Sequence, residues 1–419
     1  MSPSHKGKKP ENVFTPRAPD INDKMYVQRP ELEQALKRGL RTNLHLLIHG
    51  ESGSGKTWLY KKVLKENKFE IFIANLATAS RLGSITAEFS DLINSYEEPQ
   101  KTGYSEIKKG DVSAGVASAS VQHQSNYKIG EMEPFEALLK HISQKSSGKP
   151  SVLVLDNLET IHSDPKLLKE LADIITLIDD SRYAKYEVKI LIVGVPGDLR
   201  SYYNNTPHLT TIANRIREIP EVSRMTSEQC KNLVKTGFIN ELGYEIEDFD
   251  EIVNHISWTT DKLPQRLHEY CLELAFLGQE NGGKITKNLL DDVDRYWLQT
   301  SLSASYAIVE SMMNERETKV QRRNQTLYSL GLVETEEFRV TDIEEILRKE
   351  FPESTVDLTL NISKALSYLA SQNNPIIKRS PKGDAYCFSD PKYRMCLRAM
   401  LRKRDNVDKV EKISISDIS

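Results

Sequence analysis

The stretch that decides the fold is Gly50-Glu51-Ser52-Gly53-Ser54-Gly55-Lys56-Thr57, which fits the pattern G-x-x-x-x-G-K-[ST] at every fixed position. An apolar run at residues 44–49 precedes it, and a helical pattern follows from residue 56 to about 67. Glycines let the backbone curl so that successive N–H groups point inward, and the N-terminus of the following helix adds the positive end of its dipole. The stretch therefore predicts a phosphate-binding loop rather than a plain Gly/Ser linker.

Each polar residue of this loop has an expected role. Lys56 is expected to reach the β- and γ-phosphates of a nucleoside triphosphate, and the Thr57 hydroxyl to bind Mg²⁺. No N-K-x-D guanine-reading motif is evident, which favours ATP over GTP as the cofactor. The other residues expected to surround the phosphates are Gly50, Ser52, Gly53, Ser54 and Gly55.

A second motif, SVLVLDNLE at residues 151–159, is an apolar strand that ends in an acid. Asp156 is expected to hold Mg²⁺ together with Thr57; the alternative is an Asp that only caps the next turn. A catalytic acid would follow directly, but Asn157 stands there and cannot accept a proton from water. Glu159 is close enough to substitute, or is an ordinary surface charge. Hydrolysis is therefore predicted to be slow or to depend on a partner.

Apolar runs and helical patterns alternate around these motifs. Further short runs rich in β-branched residues occur at 69–76, 148–156, 189–195 and 216–222. Such runs, separated by helices, are typical of a parallel sheet covered on both faces. The fold class predicted is α/β: the parallel sheet of a P-loop NTPase with a helical lid, followed by a winged-helix domain.

The winged helix is predicted from the end of the chain. Residues 361–371 form a helical pattern, and IIKRSPKGDAYCF at 376–388 indicates two strands around a Pro-Lys-Gly-Asp turn. The predicted boundaries are a disordered tail over 1–24, an ATPase core over 25–225, a helical lid over 226–300, the winged helix over 301–404 and a second disordered tail over 405–419. Within the core, about 98–130 is an insert, interpreted either as a hairpin for polymerisation or DNA probing, or as a flexible loop.

Composition excludes several classes of protein. The 57 Lys+Arg against 60 Asp+Glu give a net charge of −3, so nucleic acid could be held only by a local basic patch. No apolar run approaches 18 residues, and the start of the sequence lacks the apolar stretch of a secretory signal. Four cysteines without a C-x-x-C pair argue against a zinc site or a disulfide framework. We expect a cytoplasmic protein with no membrane partner.

With both motifs in view, the sequence resembles AAA+-type ATPases of the origin-recognition and STAND kind with a C-terminal winged helix. The stretch Tyr26-Val27-Gln28-Arg29-Pro30-Glu31-Leu32 is similar to the family's opening "(V/F)-G-R-x-x-E-L", although Gln28 replaces the usual Gly. The resemblance implies that Tyr26, Val27 and Arg29 lie against the nucleotide base. At the sensor-1 position, Gly194-Val195-Pro196 replaces the customary polar residue.

Two arginines acquire roles from this resemblance. Arg215, in ANRIREIP, looks like the arginine that a neighbouring subunit offers to the γ-phosphate; the alternative is an ordinary solvated pair with Arg217. Arg266, in LPQR, looks like the sensor-2 arginine that reaches the nucleotide in cis; the alternative is a helix-start arginine paired with a nearby acid. A finger supplied in trans implies a homo-oligomer, because the transition-state charge would be compensated by the next protomer.

The last part of the chain carries an uneven charge, with nine basic residues and two acids over 378–404. Lys378, Arg379 and Lys382, near the tip of the wing, are expected to contact DNA phosphates; a protein partner and a plain solvated edge are the alternatives. The function predicted is an ATP-binding switch and ATPase that oligomerises or remodels and acts on DNA, as in replication, transposition or phage defence. The rival is a STAND-like signalling or scaffold ATPase whose winged helix binds a protein partner.

Overall fold

The computed structural model describes residues 8–96, 132–195, 214–314, 320–380, 383–404, 407–413 and 415. They fall into two compact units. The first, Arg29–Ser223, is called the sheet unit; the second, Met1–Gln28 together with Arg224–Ser419, is called the helical unit. The predicted insert at about 98–130 lies outside the described residues. In the part of the chain that is described, no helix has the length and apolar character needed to cross a membrane.

Helix α1 (Pro10–Val13) precedes the sheet unit in the chain and belongs to the helical unit. The helices of the sheet unit are α2 (Pro30–Leu40), α3 (Lys56–Glu66), α4 (Leu76–Leu82), α5 (Ile85–Tyr96), α6 (Pro134–Ser146), α7 (Pro165–Leu177) and α8 (Ser181–Ala184). Its strands are β1 (His45–His49), β2 (Glu70–Asn75), β3 (Ser151–Asp156), β4 (Val188–Gly194) and β5 (Ile216–Glu218).

The five strands form one parallel sheet in the order β2-β3-β4-β1-β5. Strand β4 therefore separates β1 from β3, in the register Leu46↔Leu191 and Leu153↔Ile190. Because all strands run the same way, the loops after β1, β2, β3 and β4 leave from one edge of the sheet. The predicted P-loop NTPase fold with helices around a parallel sheet is confirmed.

The sheet buries both of its faces, which explains the near-continuous apolar runs in the sequence. All five residues of β1 are buried. Alternate residues serve opposite cores, since successive side chains of a strand point to opposite faces. One core holds Leu47, Phe72, Leu153, Leu155, Ile190 and Ile192 with residues of α4 to α7. The other holds Leu46, Ile48, Val152, Val154, Leu191 and Val193 with residues of α2 and α3.

The helical unit is built on one continuous apolar core. Its helices after α1 are α9 (Ser227–Val234), α10 (Phe249–Thr259), α11 (Pro264–Glu280), α12 (Lys287–Gln299), α13 (Ser303–Met312), α14 (Arg322–Leu332), α15 (Val340–Glu350), α16 (Pro352–Thr355), α17 (Ile362–Ala370) and α18 (Pro391–Met400). Its strands are β6 (Glu245–Ile246), β7 (Lys284–Ile285), β8 (Glu337–Phe338), β9 (Ile377–Arg379), β10 (Tyr386–Phe388), β11 (Leu401–Lys403) and β12 (Val410–Lys412).

The N-terminal tail predicted over residues 1–24 is wrong for the described part of that segment. Phe14 is fully buried, with its ring centroid 4.8 Å from that of Phe238. Phe238 belongs to a π-helical segment, Lys235–Leu242, and a Cβ on Gly237 would lie 2.3 Å from the Phe14 ring. The backbone N–H of Thr15 also donates to Nδ1 of the buried His268 at 3.2 Å. In the sequence, the many polar and proline residues of this segment indicated a disordered tail rather than a buried Phe14.

The C-terminal tail predicted over 405–419 is also wrong where it is described. Strand β12 pairs antiparallel with β11, and Val410 is buried in the core of the helical unit. A side-chain oxygen of Asp408 accepts a hydrogen bond from the backbone N–H of Ser354, at 2.5 Å. The backbone carbonyl of Asp408 accepts another from Gln325 at 2.7 Å. A short two-stranded ribbon is stable here because it packs on a larger core.

The predicted hairpin near residue 380 is present as β9 and β10, with the residues 381–382 outside the described part of the chain. Strand β8 pairs with the other side of β10, which gives a three-stranded sheet in the order β8-β10-β9. The chain order is α14, β8, α15, α16, α17, β9, β10, and helices followed by a hairpin are the order of elements expected of a winged helix. The domain limits at 226–300 and 301–404 stay predictions; both ranges share the single core of the helical unit.

Candidate functional site

The predicted phosphate loop runs from the end of β1 to the start of α3. Gly53 and Gly55 have φ values of 83° and 93°, in the left-handed region that favours glycine. At Gly50 a Cβ would lie 2.4 Å from the backbone oxygen of Val222, so a larger residue there would displace backbone. The glycines are therefore required by the curled path of the loop itself.

Lys56 folds back over this loop. Its Nζ donates to the backbone oxygens of Gly50 at 2.6 Å and Glu51 at 3.0 Å. Burial lowers the pKa of Lys56, while the charges of Glu159, Asp156 and Glu51 raise it. An ammonium held by two neutral carbonyls, within electrostatic range of three carboxylates, can exchange those carbonyls for phosphate oxygens at little cost.

Asp156 ends β3 at the same edge of the sheet. Its Oδ1 accepts a hydrogen bond from the Asn157 backbone N–H at 2.9 Å, and the hydroxyl of buried Tyr60 lies 3.5 Å from its Oδ2. Burial raises the pKa of Asp156, and the nearby charge of Lys56 opposes that shift. The carboxylate is half-buried and has no ion pair in the described residues, which leaves it able to take a cation.

Glu159 is exposed in a 3₁₀ turn, Leu158–Ile161, that follows Asp156 directly. The negative charge of Glu159 raises the pKa of Lys56, and it does so more than the charge of Asp156. Glu159 is therefore within electrostatic range of Lys56, and its role as a substitute for an acid at position 157 stays a prediction.

The sequence did not single out Asn75, yet the structure places it beside these residues. Asn75 ends β2 opposite Asp156 in the sheet register, and its Oδ1 accepts a hydrogen bond from Nδ2 of Asn157 at 3.0 Å. Its backbone N–H donates to the buried carboxylate of Glu88 at 2.9 Å, and burial raises the pKa of Glu88. A polar residue directly after the apolar run of β2 was the available signal.

The residues of the loop fit a nucleotide with Mg²⁺. Helix α3 begins at Lys56 with no side-chain cap, and the N-terminus of a helix is a place where backbone amides bind anions. The Oγ of Ser54 is buried without a hydrogen-bond partner in the described residues. The hydroxyl of Thr57 and the carboxylate of Asp156 offer the hard oxygen ligands that Mg²⁺ prefers.

The sensor-1 position carries no polar side chain. Gly194 ends β4, and a Cβ built on it would lie 3.0 Å from Cβ of Leu158. Close packing of the strand end against the 3₁₀ turn therefore excludes most side chains here. Val195 is described and Pro196 is not.

Arg215 lies at the opposite edge of the sheet from the phosphate loop. Its backbone oxygen accepts from the N–H of His45, the first residue of β1, whereas the loop follows the last residue of that strand. Its Nε donates to Asp179 at 2.7 Å. The structure thus does not bring Arg215 to the phosphate loop of its own chain; a role in trans stays a prediction.

Of the predicted base-side and sensor-2 residues, Arg29 alone belongs to the sheet unit. It is largely buried, and its Nη1 donates to the Ser223 oxygen at 2.9 Å, which joins the first and last residues of that unit. Tyr26, Val27 and Arg266 belong to the helical unit, so their roles towards the nucleotide stay predictions. Arg266 pairs with Glu269 at 2.6 Å, as its alternative interpretation expects.

The basic run over 378–404 is partly taken up by contacts within the helical unit. Lys378 and Arg379 are exposed on β9, and Lys382 lies outside the described residues. Arg394 and Arg398 are buried against Asp261, at 3.2 Å and 2.9 Å. Three more of these basic residues reach an acid: Arg402 pairs with Asp294, Lys403 with Glu350 and Arg404 with Glu411. The surface available to DNA is therefore smaller than the sequence count suggests.

Comparison with known proteins agrees with this geometry. Residues 38–202 match the model of the family described as AAA domain, a segment that contains both the phosphate loop and Asp156. The resemblance to AAA+-type P-loop ATPases is thereby confirmed for this part of the chain. No curated protein matches the sequence.

Several solved structures are similar in fold. Cdc6p from Pyrobaculum aerophilum is 15% identical with a TM-score of 0.42, over 93% of this chain and 96% of that one. The Walker-type ATPase PABY2304 of Pyrococcus abyssi is 14% identical with a TM-score of 0.45, over 89% and 96%. The Aeropyrum pernix ORC2 protein, in ADPNP-ADP complexes, is 12% identical with a TM-score of 0.45, over 94% and 97%. Likenesses at this level do not carry a function to this chain.

Proposed function

We propose that this chain, whose residues 38–202 match the family model described as AAA domain, is an ATP-binding molecular switch and an ATPase that oligomerises or remodels and acts on DNA, of the kind used in replication, transposition or phage defence. The observation that carries the nucleotide part is the Lys56 ammonium, which rests on two loop carbonyls within electrostatic range of Asp156 and Glu159. An uncapped helix N-terminus at the same place supports it.

The residues divide the work as follows. The amides at the start of α3 and the Lys56 ammonium bind phosphate oxygens, while Thr57 and Asp156 hold Mg²⁺. Bound ATP and Mg²⁺ supply the electrophilic phosphorus and the neutralising charge. Glu159, exposed beside the loop, orients water and accepts its proton in place of the acid missing at Asn157. A lone exposed carboxylate in that role implies slow turnover.

Calorimetric titration with Mg·ATP tests the nucleotide site. Lys56→Ala is expected to weaken binding roughly 30-fold or more, because it truncates one partner of a partly desolvated charge contact. Lys65→Ala, an exposed change near the far end of the same helix, is the matched control and is expected to bind as the parent does. Equal affinities for Lys56→Ala and the parent would refute the site.

Turnover tests the trans role of Arg215. If a second copy supplies this arginine, turnover per chain rises with protein concentration in the parent, and Arg215→Ala lowers it at least about 100-fold. Arg217→Ala, on the adjacent strand β5, is expected to have little effect. Turnover that is independent of concentration and unchanged in Arg215→Ala would contradict the assignment.

DNA contact is proposed through Lys378 and Arg379, which are exposed on β9, together with Lys382. Each Lys or Arg that contacts a phosphate steepens the dependence of log affinity on log salt by about one unit. Neutralising Lys378, Arg379 and Lys382 together is therefore expected to flatten the slope by about three. Lys140→Gln, an exposed change in the sheet unit, is the control.

The rival, a STAND-like signalling or scaffold ATPase with a protein partner on the winged helix, is favoured by two observations. The pair Asn157–Asn75 offers an amide where a catalytic acid is expected. Five of the nine basic residues over 378–404 pair with an acid of the same unit, and two of these, Arg394 and Arg398, are buried. Absence of DNA binding at low salt, with Mg·ATP binding intact, would select this rival.

A further inference from the structure

A cavity of about 240 Å³ lies in the helical unit, between α10, α14 and the junction of α18 with β11. It is open to solvent on part of its surface. Its ring and cationic lining comes from His255, Trp258, Tyr328, Arg398, Arg402 and Lys403, and its remaining lining is Leu or Gly. No carboxylate lines it among the described residues, so the cavity presents cations and rings together.

Arg398 forms a fixed wall of this cavity. It is almost fully buried, and its guanidinium lies 3.6 Å from the centroid of the Trp258 ring. It donates to the backbone oxygens of Gly331, Trp258 and Val333 and to Asp261, so its orientation is set from behind. Burial lowers the pKa of Arg398 to about 10, which leaves it charged at neutral pH.

Arg402 and Lys403 each have side-chain N–H groups that make no hydrogen bond in the described residues. Arg402 donates to the fully buried Asp294 at 2.6 Å through Nη2 and to the backbone oxygens of Arg398 and Leu401 through Nη1, while its Nε has no partner in the described part of the chain. The Nζ of Lys403 lies 3.7 Å from Glu350, beyond hydrogen-bond distance. Two adjacent cations, both about one-third exposed, can thus donate to an anion placed in the cavity.

Two ring side chains add polar groups. Nε2 of His255 lies 3.2 Å from Asp294, which fixes the ring. The Tyr328 ring packs edge-on against Phe351, with centroids 5.6 Å apart. Burial raises the pKa of Tyr328, so its hydroxyl stays protonated at neutral pH, and that hydroxyl has no partner among the described residues.

From these contacts we propose that the cavity binds a phosphate ester that carries a flat ring, of mononucleotide size. Arg402 and Lys403 hold the phosphate, and the Tyr328 ring packs against the flat ring. The volume lies somewhat below the range of about 300–1,000 Å³ usual for closed small-molecule pockets, which suits a ligand that is partly exposed. All the residues that line the cavity belong to the helical unit, and none of them belongs to the phosphate loop.

The test uses the full chain with Lys56→Ala, so that the phosphate loop does not contribute and the proposed function is not at issue. AMP, adenosine and inorganic phosphate are titrated by calorimetry at low salt. AMP is expected to bind. Adenosine, which lacks the phosphate, and inorganic phosphate, which lacks the ring, are each expected to bind at least about tenfold more weakly. No uptake of AMP up to about 10 mM would overturn the proposal.

Variants then locate the site. Lys403→Gln is expected to lower the affinity for AMP about tenfold. Lys349→Gln, at an exposed residue of α15 outside the cavity, is expected to leave that affinity unchanged. Tyr328→Phe retains most of the affinity and Tyr328→Leu loses it, because the ring rather than the hydroxyl supplies the packing. Circular dichroism confirms that each variant is folded. Equal AMP affinity in Lys403→Gln and Lys349→Gln would assign the binding elsewhere and refute the site.

Discussion

The two compact units use charge in opposite ways. In the sheet unit, Lys56, Asp156 and Glu159 gather at one edge of a sheet, and Lys56 is held mainly by neutral carbonyls. In the helical unit, Arg394 and Arg398 are buried, pair with Asp261 and donate to backbone oxygens. A charged group that binds a ligand can still form hydrogen bonds or ion pairs with it. A buried structural charge instead forms these contacts within the protein, because burying a charge without partners is costly.

The units also differ in how the chain enters them. Sheet-unit core residues lie in consecutive apolar runs of one continuous segment. The helical unit is discontinuous: its core takes Phe14 from one end of the chain and Val410 from the other. When a core is assembled from segments far apart in the sequence, each segment has only a weak apolar pattern of its own. For this reason the sequence predicted disordered tails at both ends of the chain.

The largest effect expected from this comparison is at the two carboxylates. Asp261→Ala leaves two buried arginines without their acid and is expected to cost about 3–5 kcal/mol of unfolding free energy. Asp156→Ala removes a carboxylate bound mainly to one backbone N–H and is expected to cost less than about 1.5 kcal/mol, while abolishing Mg²⁺-dependent ATP binding. Denaturant unfolding of both variants measures the contrast, and similar losses would contradict it.

The next largest effect on stability is expected at Phe14 and Phe89, which are buried in the cores of the helical unit and the sheet unit. Phe14→Ala is expected to cost about 3–5 kcal/mol, as much as Phe89→Ala in the sheet unit, since both rings are fully buried. Val356→Ala, at a side chain that is 67% exposed, is the control with little change. If Phe14→Ala behaved like the control, the N-terminal segment would be the tail that its composition suggested.

Each unit also contains a buried histidine whose pKa is lowered by burial. Burial lowers the pKa of His45 to about 4, partly opposed by Asp179 and assisted by Lys189 and Arg215, and burial alone lowers that of His268 to about 4. Between the unfolded value of 6.5 and about 4 the unfolded chain binds more protons, so stability is full above 6.5 and falls as pH falls. The loss is roughly 2 kcal/mol per histidine by pH 5.

Unfolding curves at pH 7 and pH 5 check this expectation. His45→Gln and His268→Gln should each be less stable than the parent at pH 7 and should each lose less on acidification. His162→Gln, which changes an intermediate-exposure histidine outside both cores, should keep the full pH dependence of the parent. An identical pH dependence in all three variants would contradict the role of buried neutral imidazole.

The smallest expected effect is a gain of turnover. Asn157→Glu restores an acid directly after Asp156 and breaks the amide pair with Asn75, so phosphate release is expected to rise about tenfold or more. Asn157→Gln keeps an amide and should not raise turnover. The gain should persist when Glu159→Gln is added, because the new acid replaces it; dependence on Glu159 would show that position 157 is not the site of proton transfer.

Much of the sheet unit could be predicted because its information is local. The loop glycines, the strand before them and the acid at residue 156 lie in continuous segments, and a parallel sheet makes their meeting at one edge geometrically necessary. The partner Asn75 could not be found in this way, because it meets Asn157 only through the pairing of β2 with β3. Strand order is a property of the whole sheet, and no single segment encodes it.

By itself, the sequence determined the curled loop with Lys56, the acid that faces it and the alternation of buried strands with helices, since backbone sterics and side-chain periodicity act over a few residues. Only the tertiary structure decided that Phe14 is a core residue, that Arg394 and Arg398 belong to Asp261, and that Arg402 and Lys403 line a cavity. The reason is physical: burial and charge pairing depend on what is nearby in space, and in the helical unit those neighbours lie far apart along the chain.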